Sequence, residues 1–166
     1  MLKYNVYVGN FAGNTEHFDY GGRLGYTFGD TGVTTGLNAA SGHRVFANSS
    51  DYTLYGFDLL YDKGPILWKS EIFVTDEDAT VGKDRFAFYT QPAWRFHDRW
   101  IAFYRYDFLD SGAITGDTTE HAFGVTYKPN NNVHVRAIAT LKHFDGGVGT
   151  TDANTQQYQL SATFSF

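Results

Sequence analysis

The hydrophobic alternation of this chain breaks at two kinds of place, and the two kinds themselves take turns along the sequence. One is short and turn-like: Phe28-Gly29-Asp30-Thr31-Gly32, Asp62-Lys63-Gly64-Pro65, Phe96-His97-Asp98-Arg99 and Lys128-Pro129-Asn130-Asn131-Asn132. The other is longer and polar: residues 12–17, 41–50, 76–84, 111–120 and 144–156. Between breaks, apolar and polar residues alternate with the period of two that marks a half-buried β-strand. About ten strands result, near 2–11, 18–28, 32–40, 51–62, 65–75, 85–95, 99–109, 120–128, 132–143 and 157–166. A chain that reverses at every strand and always makes short connections at one end and long ones at the other has two chemically different ends. A soluble sandwich has no cause to differ in that way.

The last nine residues, Tyr158 to Phe166, alternate without a break and finish on an aromatic ring. They resemble the closing strand of bacterial outer-membrane β-barrels. That resemblance implies an insertion signal at Tyr158, Phe164 and Phe166, read by the barrel insertion machinery. Short turns on the periplasmic side, long loops outside and an even strand count are the habits of such barrels. The expected fold is therefore all-β: a transmembrane antiparallel up-and-down β-barrel, one domain over 1–166, integral to the bacterial outer membrane. With Met1 followed at once by alternating residues, no secretory leader is read, so the chain is expected to be a mature form with an initiator Met or a fragment, such as the C-terminal part, of a larger barrel.

Composition agrees with a membrane wall that conceals itself. The mean hydropathy is −0.36, and no apolar run is long enough for a membrane helix. A barrel strand needs an apolar residue only at every second position, which averages to a polar-looking sequence. The absence of Cys removes disulfides, thiol chemistry and iron-sulfur ligation from consideration.

The parity of each strand divides it into two faces. The outward set includes Tyr55, Phe57, Leu59 and Tyr61, then Phe86, Phe88, Thr90 and Trp94, then Trp100, Ala102, Tyr104 and Phe108. It continues through Phe123, Val125 and Tyr127 to Val133, Val135, Ala137, Ala139 and Leu141. No charge falls on these positions, where Lys or Arg at mid-membrane would cost about 2–4 kcal/mol. Trp68, Trp94 and Trp100 all lie close to a short turn, as an interfacial aromatic girdle requires.

The inward set is charged and small. Its charged members are Lys3, Arg23, Lys69, Arg95, Arg105, Arg136 and Lys142 against Asp19, Asp58, Glu71 and Asp107, with Gly21, Gly25, Gly36, Gly56, Ala93 and Gly124 among them. The net charge of −5 then places most acidic residues in the external loops: Glu16, Asp76, Glu77, Asp78, Asp84, Asp110, Asp117, Glu120, Asp145 and Asp152. An excess of fixed positive charge on a channel wall raises the local anion concentration. Equally, Asp and Arg that face each other across a narrow barrel form a salt-bridged plug. Around eight strands leave room only for side chains, whereas 16 to 18 enclose water.

Three strings are similar to late strands of Gram-negative porins, nearest the phosphate-selective porin O and P type. They are Tyr55-Gly56-Phe57-Asp58-Leu59-Leu60-Tyr61-Asp62-Lys63-Gly64-Pro65, Phe103-Tyr104-Arg105-Tyr106-Asp107-Phe108-Leu109-Asp110, and Phe123-Gly124-Val125-Thr126-Tyr127-Lys128-Pro129-Asn130-Asn131-Asn132-Val133. The likeness covers roughly the last two thirds of the chain. It implies a passive pore for small hydrophilic solutes or anions in a barrel of about 16 strands, and it transfers no specific anion site.

Other classes find little support. Asp76-Glu77-Asp78 and Lys142-His143-Phe144-Asp145 offer carboxylates and a His at one rim, the raw material of an omptin-like protease, but general acid–base work needs them within hydrogen-bond reach. The six His residues are too scattered for zinc, and Gly146-Gly147-Val148-Gly149 reads as loop flexibility. No enzyme activity, cofactor or metal is therefore expected. The acidic balance disfavours nucleic acid. Expected partners are outer-membrane lipid and lipopolysaccharide, the insertion machinery and small solutes, with a homo-oligomer compatible with the pattern. The alternative to a pore is a small filled barrel with a structural or adhesive role carried by its Ser-, Thr-, Asn- and Gly-rich loops.

Overall fold

A computed structural model describes residues 1–9, 18–44, 50–77, 84–111, 116–130, 132–147, 149 and 151–164. Ten strands follow one another: β1 (Leu2–Gly9), β2 (Asp19–Thr27), β3 (Val33–Arg44), β4 (Ser50–Lys63), β5 (Ile66–Glu77), β6 (Arg85–His97), β7 (Trp100–Asp110), β8 (Asp117–Asn130), β9 (Val133–Asp145) and β10 (Ala153–Phe164). Each pairs antiparallel with the next, so the sheet order is the chain order. Among the described residues β1 and β10 form the two edges and share no ladder. The sheet is thus an up-and-down barrel wall whose edges are not joined.

The short breaks are tight turns. Between β2 and β3 a single 3-10 turn, Gly29–Thr31, ends on Gly32 at φ 81, a left-handed conformation that glycine adopts without steric cost. The Thr31 hydroxyl donates to the Phe28 carbonyl at 2.6 Å and accepts from the Val33 amide at 3.1 Å, which fixes the reversal. Arg95 braces the next turn from a neighbouring strand, donating to Asp62 at 2.8 Å and to the Gly64 carbonyl at 3.0 Å.

The strands reach further toward the loop end than hydropathy alone predicts. β3 runs to Arg44, β5 to Glu77, β8 starts at Asp117 and β10 at Ala153. A ladder needs only backbone donors and acceptors, so it continues past the apolar band wherever polar residues are tolerated on both faces. Asp76, Glu77, Asp110, Asp117, Glu120 and Asp145, expected in loops, accordingly belong to strands. Residues 10–11, Glu16, Asp78 and the terminal Phe166 lie outside the described residues, while Phe164 closes β10 opposite Val133.

A soluble sheet of this size would bury large side chains. Among the described residues the buried hydrophobic ones are Ala93 and Ala122, and no large side chain is fully buried. Large apolar groups are instead exposed on one face, among them Tyr4, Val6, Leu37, Tyr55, Phe123, Tyr158 and Leu160. Register alignment confirms the parity: Phe57 faces Ile72, Ile72 faces Phe88 and Phe88 faces Phe108 across β4 to β7. Phe123, Ala139 and Tyr158 continue the face across β8 to β10. Its charged residues in the strands sit only near the strand ends, as with Asp51, Asp76, Asp110, Asp117 and Asp145 at the loop end and Lys63 at a turn. In β9 the uncharged outward positions from Val133 to Leu141 cover roughly 26 Å at about 3.3 Å per residue, the scale of a barrel's apolar band.

Candidate lumen surface and its ion pairs

At the turn end the outward face carries a belt of rings. Trp94 lies 6.0 Å from Phe96, Phe96 stacks on Trp100 at 6.4 Å, and Trp100 meets Tyr127 at 4.5 Å, all between centroids. On the neighbouring strand Trp68 donates its indole N–H to Ser70 at 2.9 Å and Thr90 at 2.8 Å. An indole whose polar edge is satisfied beside an exposed ring suits the membrane–water boundary. The sequence expectation of a girdle at the short turns therefore holds.

The opposite face gathers the expected charged residues, and most of its arginines are already engaged. Arg23 on β2 reaches across β3 to Asp58 on β4, donating Nε to Oδ2 at 2.8 Å and Nη2 to Oδ1 at 2.5 Å. Asn38 on the intervening strand adds a bond to Asp58 at 3.0 Å. Gly36 makes this bridge sterically feasible: a Cβ there would run into both Asp58 Oδ2 and the Arg23 guanidinium. Arg105 and Asp107, two apart on β7, form a second pair with Nε–Oδ2 at 2.8 Å. Arg95 is spent on Asp62 and the turn carbonyl, so it acts at the rim as a brace.

Arg136, Lys69 and Glu71 form no salt bridge among the described residues. Arg136 makes a 3.3 Å bond to the Thr126 hydroxyl and lies 5.6 Å from the Phe103 ring, and among the described residues it meets no carboxylate. Lys69 is exposed and has no salt bridge among the described residues. Glu71, directly opposite Asp58 in the ladder, accepts one bond from the Tyr89 hydroxyl at 2.8 Å. Thus Arg23, Asp58, Lys69, Glu71, Arg105 and Asp107 share one region, whereas Arg95 belongs to a turn and Arg136 to the β8–β9 side.

Sequence reasoning passed over Tyr89, Asn38 and Phe73, and put Glu120 in a loop. Tyr89 is placed by the parity of β6 itself, since Phe86, Phe88 and Thr90 point outward. Glu120 was misplaced in a loop because its neighbours are polar on both sides, yet it faces Lys142 across the β8–β9 ladder. Two solvent-accessible spaces open between these groups. One, about 360 Å³, is bordered by Arg23, Asp58, Lys69, Glu71, Phe73 and Tyr89. The other, about 370 Å³, is bordered by Phe73, Tyr89, Arg105, Asp107, Glu120 and Lys142. Among the described residues no group of His, Asp and Glu is arranged to hold a metal ion.

An uncharged exterior band, an aromatic belt and a charged, unfilled interior face define the class of fold as an integral outer-membrane β-barrel. Among solved structures the chain is similar to the outer-membrane expressed OmpT of Vibrio cholerae, with a TM-score of 0.68 and 14% identity over 97% of this chain and 64% of that one. The chain thus spans a little under two thirds of the length of that structure, and the likeness is one of fold. No family model matches the chain, and no curated protein matches it.

Proposed function

We propose that this chain forms the wall of a passive diffusion pore in the bacterial outer membrane, admitting small hydrophilic solutes with a weak preference for anions. The observation that carries the reading is the contrast between the two faces. One offers apolar rings to lipid, while the other keeps charged side chains around solvent-accessible spaces and buries almost nothing. A face built to be filled would pack large side chains into those spaces.

The anion preference is weak because Arg23, Arg95 and Arg105 are each neutralised by an aspartate, which leaves Lys69, Lys142 and Arg136 to act on passing ions. The sequence likeness to the phosphate-selective porin type is the finer form of this reading, and it rests on the three strings alone. The proposed role is non-enzymatic. Lipopolysaccharide, through divalent ions, would meet the outward aspartates near the loop end.

A second reading, a salt-bridged barrel with a structural or adhesive role, draws on the same three ion pairs. Planar-bilayer conductance in a salt gradient separates the two. A pore gives conductance steps and a reversal potential on the anion side that moves toward zero when Lys69 and Arg136 are replaced together by Met. A refolded protein that shifts on an SDS gel upon boiling yet never conducts would reject the pore.

A further inference from the structure

The two interior spaces repeat one charge arrangement. In the first, Arg23 and Asp58 form a closed pair while Lys69 and Glu71 stay open; in the second, Arg105 and Asp107 are closed while Lys142 and Glu120 stay open. Neither open pair comes within salt-bridge distance of itself, and among the described residues neither lysine has a carboxylate partner. Glu71 uses one acceptor position, on Tyr89, out of the roughly four lone-pair sites a carboxylate offers.

Tyr89 and Phe73 border both spaces. Tyr89 is tied to the first by its hydroxyl bond to Glu71 and to the second by the Arg105 guanidinium, 4.2 Å from its ring centroid. The partition between the spaces is therefore an oriented ring.

We infer that these are two adjacent subsites for small zwitterions, molecules that carry one ammonium and one carboxylate a few bonds apart, such as an amino acid or a short peptide. Each lining sums to zero, two cations against two carboxylates: Arg23 and Lys69 against Asp58 and Glu71, then Arg105 and Lys142 against Asp107 and Glu120. A simple anion drawn to Lys69 meets Glu71 and Asp58, and a simple cation drawn to Glu71 meets Lys69 and Arg23. A zwitterion satisfies both open groups at once, with its carboxylate on the lysine and its ammonium on the glutamate. Lys69 and Glu71 stand two residues apart on one strand face, roughly 6.7 Å along the backbone. Glu120 and Lys142 face each other across a ladder, with Cβ atoms about 5 Å apart. In neither pair do the charged ends meet, so each remains available to a guest.

The inference rests on the lumen being reached by solute, as in the pore reading, but it is tested by binding. The full chain, refolded in detergent micelles, is titrated with glycylglycine, acetate and methylammonium while backbone amide shifts are followed by NMR. Glycylglycine is expected to give saturating shifts on the interior strands, with both singly charged probes at least about tenfold weaker, the loss of one charge-assisted contact. Lys69→Met should abolish the shifts at the first subsite and keep those at the second, and Glu120→Gln should do the reverse. Among the described residues neither side chain makes a hydrogen bond or salt bridge, so both variants are expected to retain the fold. Acetate binding as tightly as glycylglycine, or Lys69→Met leaving the first subsite intact, overturns the inference. Conductance without glycylglycine binding removes the subsites alone, and binding without conductance removes the pore alone.

Discussion

Arg23 and Asp58 meet across an intervening strand, over Gly36, with the guanidinium fork on both carboxylate oxygens. Directly beside them Glu71 faces Asp58 in the ladder, so the arginine's charge also offsets the repulsion between two neighbouring carboxylates. Asp58→Asn removes the partner and leaves Arg23 as an open cation on the interior face. We expect a shift of reversal potential toward anions and a stability loss of about 1 kcal/mol, below the range for charged hydrogen bonds because both groups are partly exposed. The two effects are read by bilayer recording and by the temperature at which the compact SDS-gel band is lost.

Gly36 tests the same bridge from beneath. Gly36→Ala places a Cβ where Asp58 Oδ2 and the Arg23 guanidinium now lie, and backbone pairing on both sides holds the strand in place. The ion pair must therefore move. The selectivity change should have the same sign as that of Asp58→Asn, and a variant with unchanged selectivity would contradict the steric role of this glycine.

Parity made much of the architecture readable in advance. Ten strands, their antiparallel order and the face assignment of residues such as Phe57, Phe88 and Phe123 follow from period-two alternation interrupted by turn residues. Strand ends were less readable, because beyond the apolar band the ladder continues through residues whose hydropathy carries no signal, as at Thr118 and Glu120. The pairing state of the arginines was hidden for another reason. Arg23 and Asp58 are 35 positions apart and Arg95 and Asp62 are 33, and only register brings them together. Whether a given arginine stands free or paired is therefore settled by the register and not by its position in the sequence.

The aromatic belt has a specific polar anchor. Trp68 satisfies its indole N–H on Ser70 and Thr90, which themselves share a 2.9 Å bond. Thr90→Val removes one acceptor and should cost about 1 kcal/mol. Trp68 fluorescence, isolated in a Trp94→Phe, Trp100→Phe background and quenched by lipids brominated at different depths, should be quenched most by shallow bromines. Strongest quenching from the chain ends would place this ring at mid-membrane and refute an interfacial belt.

Two aspartates beyond the uncharged band respond to acid with opposite signs. The Arg95 hydrogen bond holds the Asp62 carboxyl below its usual value. Its stabilisation is present above the unfolded-state pKa and is lost as pH falls through the lower folded value. Loss of solvent, then repulsion from Asp110, raises the Asp117 carboxyl, with Asp145 adding to it. Asp117 therefore favours the folded rim below the unfolded-state pKa, and that contribution is lost as pH rises through the higher folded value. Asp117→Asn should remove the weakening on the high-pH side, and Asp62→Asn the weakening on the low-pH side. Amide hydrogen exchange at the two ends of the strands, followed across acidic pH, reads each separately.

Arg136 and Ala137 are adjacent residues on opposite faces of β9, and they give the sharpest test of the membrane assignment. Arg136 lies on the interior face beside Thr126, while Ala137 lies between Val125 and Leu160 on the uncharged exterior. In water the two positions would tolerate a long cation about equally, since both residues are exposed. In a bilayer Ala137→Arg puts a guanidinium among lipid tails and should cost about 2–4 kcal/mol, whereas the native arginine one residue earlier is accommodated on the interior face. The double variant Arg136→Ala, Ala137→Arg keeps the composition and net charge unchanged while exchanging the faces. Its yield of heat-modifiable protein in lipid vesicles should fall sharply while that of Arg136→Ala alone does not. Equal yields would mean that this face of the sheet does not meet lipid.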